Sequence, residues 1–265
     1  MSHARIDEAD GVITVTFTRD DKLNAVDLEM FAALEAGVHA LAERDDLRVL
    51  VITAEGRYFT AGADIAVIAG ELGVGTDGVT RGSVSRRQYR ERARHDLYVL
   101  IESIEKPVVL AAQGPCVGLG IELSASCDFR LASDRATFSL PELANLAVIP
   151  GSGGVSRLTR LVGPHWAKWL VMAGQQVSAA DARMMGLVHA VYPDAEFAEL
   201  TVEFARSLVK VTREGLGLAK LTIDSVHGAD RRTARDLDRI VQTLLFDSPE
   251  YAAKLAAFTT RRGGG

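Results

Sequence analysis

Apolar residues along the chain fall into two rhythms. Short, nearly unbroken apolar or β-branched runs stand at 12–17 (VITVTF), 49–53 (VLVIT), 108–112 (VVLAA) and 129–132 (FRLA), and each reads as a strand. A brief run at 137–139 and a closing one over 187–192 complete the set. The wholly apolar run at 49–53 suits a sheet covered on both faces. Elsewhere the period is helical. Met30, Leu34, Val38 and Leu41 share one helical face, and Asp27 stands where a carboxylate caps the first turn. A helix ends near Lys106-Pro107, and others are expected over 150–163 and over 179–185, the latter between a Ser178 cap and a Gly186 stop. Four more follow, near 195–210, 212–227, 230–246 and 249–260, before a GGG tail expected to be disordered. Strands and helices alternate, with glycine turns at strand ends. That pattern predicts an α/β architecture with ligands at those turns.

Composition narrows the class. A chain of 265 residues fits one large domain, or one domain with an appendage. Apolar residues make up 48% and charged residues 25%, as in ordinary globular proteins. A net charge of −5 argues against a general nucleic-acid binder. Cys116 and Cys127 lack metal-ligand spacing and read as buried thiols of a reducing compartment. The polar, acidic start MSHARIDEADG is unlike a signal peptide, and no uncharged run is long enough for a bilayer, so a cytoplasmic protein is expected.

The richest chemistry lies in 114–142, GPCVGLGIELSASCDFRLASDRATFSLPE. A small-residue turn runs into an apolar segment carrying Glu122, and twenty residues later Glu142 follows Pro141. A helix opening at Gly118 would aim free first-turn N–H groups at a ligand. A second glycine turn, GRYFTAGADI at 56–65, does the same at Ala63-Asp64. Donor-lined turns with two carboxylates can stabilise an oxyanion while moving protons. Spacing alone does not bring the glutamates together. Plainer roles stand beside these: Glu122 on a polar helix face, Glu142 in a first turn, Asp64 as a cap, Asn24 as a turn residue.

Other signals exclude chemistry. The six histidines form no H-E-x-x-H pair, so no zinc site is expected. Gly118-Leu119-Gly120 lacks the third glycine of a dinucleotide fingerprint, and Gly151-Ser152-Gly153-Gly154 lacks a Walker lysine and reads as a plain turn. No nucleophile-elbow serine stands out. A Gly-rich piece, GELGVGTDG, predicts a mobile loop ahead of Arg81, Arg86, Arg87, Arg90, Arg92 and Arg94. The plain reading of these arginines is a solvated helix face, and the sharper one is contact with phosphates.

Five blocks in order carry a resemblance. They are TRDDKLNAV at 18–26, GRYFTAGADI at 56–65, KPVVLAAQGPCVGLGIELSASCDFRLAS at 106–133, FSLPELANLAVIPGSGGVSRLTRLVG at 138–163 and AGQQVSAADARMMGLVHAVYP at 173–193. From about residue 12 to residue 262 the chain resembles the crotonase superfamily, most of all its enoyl-CoA hydratases. The resemblance implies a spiral of β-β-α repeats over 1–194 and a helical oligomerisation region over 195–265. It implies an acyl-CoA thioester whose oxygen meets the backbone N–H groups of Ala63 and Leu119. Leu119 stands where many relatives carry glycine, but only its N–H is needed. Ala25, Ala61, Asp64 and Ile65 match positions lining the CoA and pantetheine channel, and Glu122 and Glu142 match the two catalytic glutamates. Homo-trimers or hexamers are implied, with 246–250 and 258–261 matching the pattern of the assembly region.

The activity implied is hydration of a trans-2-enoyl-CoA to the 3-hydroxyacyl-CoA, with Glu122 as base on water and Glu142 as proton donor to C2. No cofactor is expected, since coenzyme A belongs to the substrate. The nearest rival is an isomerase that shifts a double bond and needs one carboxylate. A rival of another class is a non-catalytic acyl-CoA- or RNA-binding relative, against which the acidic balance and scarce lysine count.

Overall fold

The computed structural model describes residues 2–67 and 84–262. The Gly-rich stretch, Arg81, the side chains of Arg86, Arg87 and Arg90, and the GGG tail lie outside the described residues.

The first element was not anticipated. Strand β1 (Ala4–Ala9) is a polar run, ARIDEA, that pairs antiparallel with β2 (Val12–Phe17). The two join through Asp10-Gly11, both at positive φ (54° and 80°), the geometry that keeps a two-residue hairpin in step with strand twist. Beyond β2 the sheet is parallel, through β3 (Val49–Ala54), β4 (Val108–Ala112), β6 (Phe129–Ser133) and β9 (Ala190–Tyr192). A small second sheet holds β5 (Cys116–Val117), β7 (Thr137–Ser139) and β8 (Val177–Ser178). Strand β4 leads to β5 and then to helix α3 (Leu119–Ser126), and β6 leads to β7 and then to α4 (Glu142–Leu146). After β3 the same place is taken by Thr60, bridged to Cys116. That unit, stepped across the sheet, is the β-β-α repeat that the resemblance implied.

Helix α1 (Leu28–Glu43) buries the expected Met30, Leu34, Val38 and Leu41, with Asp27 accepting the Met30 N–H as cap. It lies close to the sheet because Gly37 has no side chain: a Cβ there would be 2.5 Å from Val15 Cγ2. Helix α2 (Val84–Ser103) adds Leu97, Tyr98 and Ile101 to the same core. On the other sheet face, Phe197 and Ala205 of α7 (Phe197–Val209) cover Val49, Val51, Val109, Ala111 and Leu131. Strand β3 is thus sandwiched, as its unbroken apolar run implied. Helix α5 (Gly154–Val171) continues past the expected end at 163, broken at Gly163 (φ 73°), where Pro164 starts the second half. Helices α6 (Ala179–Met184), α8 (Arg213–Val226), α9 (Arg231–Phe246) and α10 (Pro249–Arg262) stand where the pattern placed them. Among the described residues no helix is long and apolar enough to cross a membrane.

Candidate active site

The two glycine turns meet. Val26 donates its N–H to Gly62 O at 2.8 Å and accepts from Asp64 N–H at 2.9 Å, a parallel bridge that straddles Ala63. With both flanking peptides turned toward Val26, the N–H of Ala63 faces away from it. Gly62 itself lies against the second turn, since a Cβ on it would be 3.4 Å from Val117 O and 3.9 Å from Leu119 N. Positive φ at Gly62 (101°) and Gly118 (57°) makes this approach possible. Leu119 opens α3, whose eight residues are all buried, and the first N–H groups of a helix have no partner within it. Neither the Ala63 nor the Leu119 N–H has an acceptor among the described residues.

Both glutamates border this junction. Glu122 is one turn into α3, its N–H donating to Gly118 O at 3.3 Å. Its side chain is buried, with Oε1 accepting the Ser152 N–H at 2.9 Å. It packs against Gly154, where a Cβ would come within 2.8 Å of Glu122 Cγ. Glu142 begins α4, and its Oε1 lies 2.6 Å from where a Gly118 Cβ would sit. Its Oε2 is buried without a hydrogen-bond partner. Burial pushes the Glu142 carboxyl above its usual range. No neighbouring charge adds to that shift among its causes; desolvation alone raises it.

The remaining candidates line the same edge. Ala61 donates to Leu23 O at 2.9 Å, and Ala25 and Ala61 are half-buried beside the first turn. Ile65 is 61% exposed. Asp64 takes the plainer part foreseen for it: Oδ1 caps Ala66 N–H at 2.9 Å and Oδ2 accepts from Arg19 at 2.7 Å. Arg19 holds that carboxyl below its usual value. Asn24 is a turn residue, at φ 52°, and more besides. Fully buried, it donates to Glu55 O and Tyr58 O and accepts the Arg19 N–H, so one amide ties two loops. Of the arginine cluster, Arg92 is exposed and pairs with Asp96 one turn on, as a solvated face would. Both cysteines are buried free thiols, and burial pushes Cys127 up to about 12.

A model of the enoyl-CoA hydratase/isomerase family matches residues 7–263. The chain belongs to that family. Curated relatives span several reactions. The 1,2-epoxyphenylacetyl-CoA isomerase of Escherichia coli K12 is 31% identical over 254 residues, 95% of this chain and 93% of that protein. The 4-chlorobenzoyl coenzyme A dehalogenase-2 of Arthrobacter sp is 28% identical over 265 residues, 98% of this chain and 91% of that one. Among solved structures, enoyl-CoA hydratase from Bacillus anthracis superposes with a TM-score of 0.87 at 28% identity, covering 98% of this chain and 96% of that one. The fold and an acyl-CoA chemistry are therefore those of the crotonase superfamily.

Sequence reasoning about this hydratase/isomerase-family chain missed the floor of the site. Ser152 lay in what read as a plain turn, yet its N–H holds Glu122. Arg157, next to the apolar stripe of α5, is buried and donates to Ser152 O at 3.1 Å. The available signal was an arginine one step from Leu158, on the side of the helix facing the core.

Proposed function

We propose that the protein adds water across the 2,3 double bond of a trans-2-enoyl-CoA. One observation carries the reading: a desolvated carboxyl at Glu142, its Oε2 without a partner among the described residues, and a backbone-held carboxylate at Glu122 flank one glycine junction with two open N–H donors. The thioester oxygen would take the Ala63 and Leu119 N–H groups, each contributing about 3 kcal/mol as charge moves onto it. Glu122 takes a proton from water while the water oxygen bonds C3. The double-bond electrons pass to C2 and the thioester carbonyl, giving an enolate. Glu142 then gives its proton to C2. Burial suits Glu142 to that step, because a raised pKa keeps the proton in place at higher pH than an ordinary glutamate would. Ala25, Ala61 and the exposed Ile65 form the edge along which pantetheine would lie, with Asp64 stiffening that edge.

The protein assembles with copies of itself. Ile240, Leu244 and Phe246 of α9 and Tyr251, Leu255 and Phe258 of α10 are exposed apolar side chains on the last two helices, the region the family resemblance assigns to trimers. Incubation with a panel of enoyl-CoAs, with products identified by mass, tests the activity. A gain of one water supports hydration; a rearranged product of unchanged mass assigns the isomerase reaction instead.

A further inference from the structure

The turn at 150–154 is gripped from two sides. Glu122 lies against Gly154 and accepts from Ser152 N–H, as described above. On the opposite side stands Arg157, 5% exposed, with Nη1 donating to Ser152 O at 3.1 Å and Nη2 to Glu102 Oε2 at 2.7 Å. Gly153, at φ 83°, leaves the guanidinium room, since a Cβ there would be 1.9 Å from Nη1. Glu102 comes from α2, and one helical turn earlier Tyr98 places its ring 5.9 Å from the Arg157 guanidinium. Burying a guanidinium costs several kcal/mol unless it is paired and hydrogen-bonded. Here one arm of the fork meets that need with a carboxylate, and the other meets it with a carbonyl in the turn that touches Glu122.

We infer that Arg157, anchored by Glu102, is a positioning residue: it fixes the Ser152 turn so that the Ser152 N–H stays on Glu122 Oε1. The inference rests on Glu122 being the base proposed above. A carboxylate that must face a water molecule loses rate steeply when displaced by an ångström, roughly 100-fold. Without the Arg157 bond, Ser152–Gly154 is a glycine turn free to pull its N–H away. The arrangement also joins three elements, α2, α3 and α5, through Glu102, Glu122 and Arg157. The helix that follows residues 68–83 is thereby coupled to the reacting carboxylate.

The test is a double-mutant cycle with a spectroscopic arm. Arg157→Met should lower kcat by roughly 10- to 100-fold with KM for an enoyl-CoA little changed, and Arg157→Lys, which keeps charge but not the fork, should fall between. In a Glu122→Gln background, Arg157→Met should cost nothing further, because the group it positions is gone. Equal losses in both backgrounds would make Arg157 merely structural and overturn the inference. Glu102→Gln keeps the shape and serves if Arg157→Met does not fold. With serine amides labelled by ¹⁵N, the Ser152 signal should lose exchange protection in Glu102→Gln; unchanged protection overturns the inference. Full activity in Glu122→Gln together with lost Ser152 protection strikes the role of Glu122 and leaves the anchoring of the turn standing.

Discussion

Glu122 and Glu142 are one helical turn and one glycine contact from the same backbone junction, yet they sit in different surroundings. Glu122→Gln and Glu142→Gln should each lower hydratase kcat by roughly 10²–10⁴-fold while circular dichroism and oligomeric mass stay unchanged. Glu142 also leaves a mark on stability. A carboxyl whose folded pKa lies above its unfolded value binds more protons in the native state, so it subtracts stability as pH rises through that interval. Glu142→Gln removes the titration. In urea unfolding the variant should therefore gain on the parent as pH rises above the ordinary glutamate range, and a parallel pair of curves would refute the desolvation. At Leu119 only the main chain is asked to act. Leu119→Gly should keep substantial hydratase activity, and a folded Leu119→Pro should lose it. The two glutamates beside the glycine turns were legible as candidates because their neighbours in the chain are so unusual. Ser152 and Arg157 were not, because the serine N–H meets Glu122 and its carbonyl meets the guanidinium through tertiary packing, which leaves no period or spacing in the chain.

Among elements, the apolar runs of β2, β3 and β4 were legible because each is buried on at least one face by the fold they build. Strand β1 was hidden because it is an edge strand with five exposed positions out of six, held by register with β2 and the Asp10-Gly11 turn. The second half of α5 was hidden by Gly163-Pro164, which reads as a stop but here only bends the path. Two glycines inside these elements can be tested. Gly37→Ala drives a methyl into Val15 across the α1–sheet contact and should destabilise the fold by about 1–3 kcal/mol in chemical denaturation. Gly154→Ala places one against both Glu122 and Pro150, at 2.8 Å and 2.7 Å. It should lower kcat more than it lowers the unfolding midpoint, since Glu122 has to move aside; a variant with normal kcat would mean that Glu122 tolerates the shift.

At the scale of the molecule, the α/β class could be read from the chain, but the way the strands wind could not. Parallel order β2-β3-β4-β6-β9 follows from crossovers whose partners lie far apart in sequence, and only the five resembling blocks pointed to a spiral. The last two helices give the last test. Leu244→Asp with Phe258→Asp should shift light-scattering mass from an oligomer to a protomer, and an unchanged mass would remove this face from assembly. Lys220 of α8 reaches back to Asp128 Oδ2 and Ile101 O, both at 2.9 Å, and Asp128 Oδ2 also accepts the Val108 N–H at 2.7 Å, so the helix on which α9 packs is tied to α2 and to the start of β4. The meeting of Gly62 with Gly118 has a consequence for descent as well as for chemistry. The donors it exposes belong to the main chain, and proline is the one substitution at residue 63 or 119 that deletes an N–H. In the proposed reaction, grip on a thioester is thus insulated from drift, whereas a carboxylate can be gained or lost in a single codon change. A lineage built on this junction can exchange one acyl-CoA reaction for another without ever letting go of the acyl-CoA.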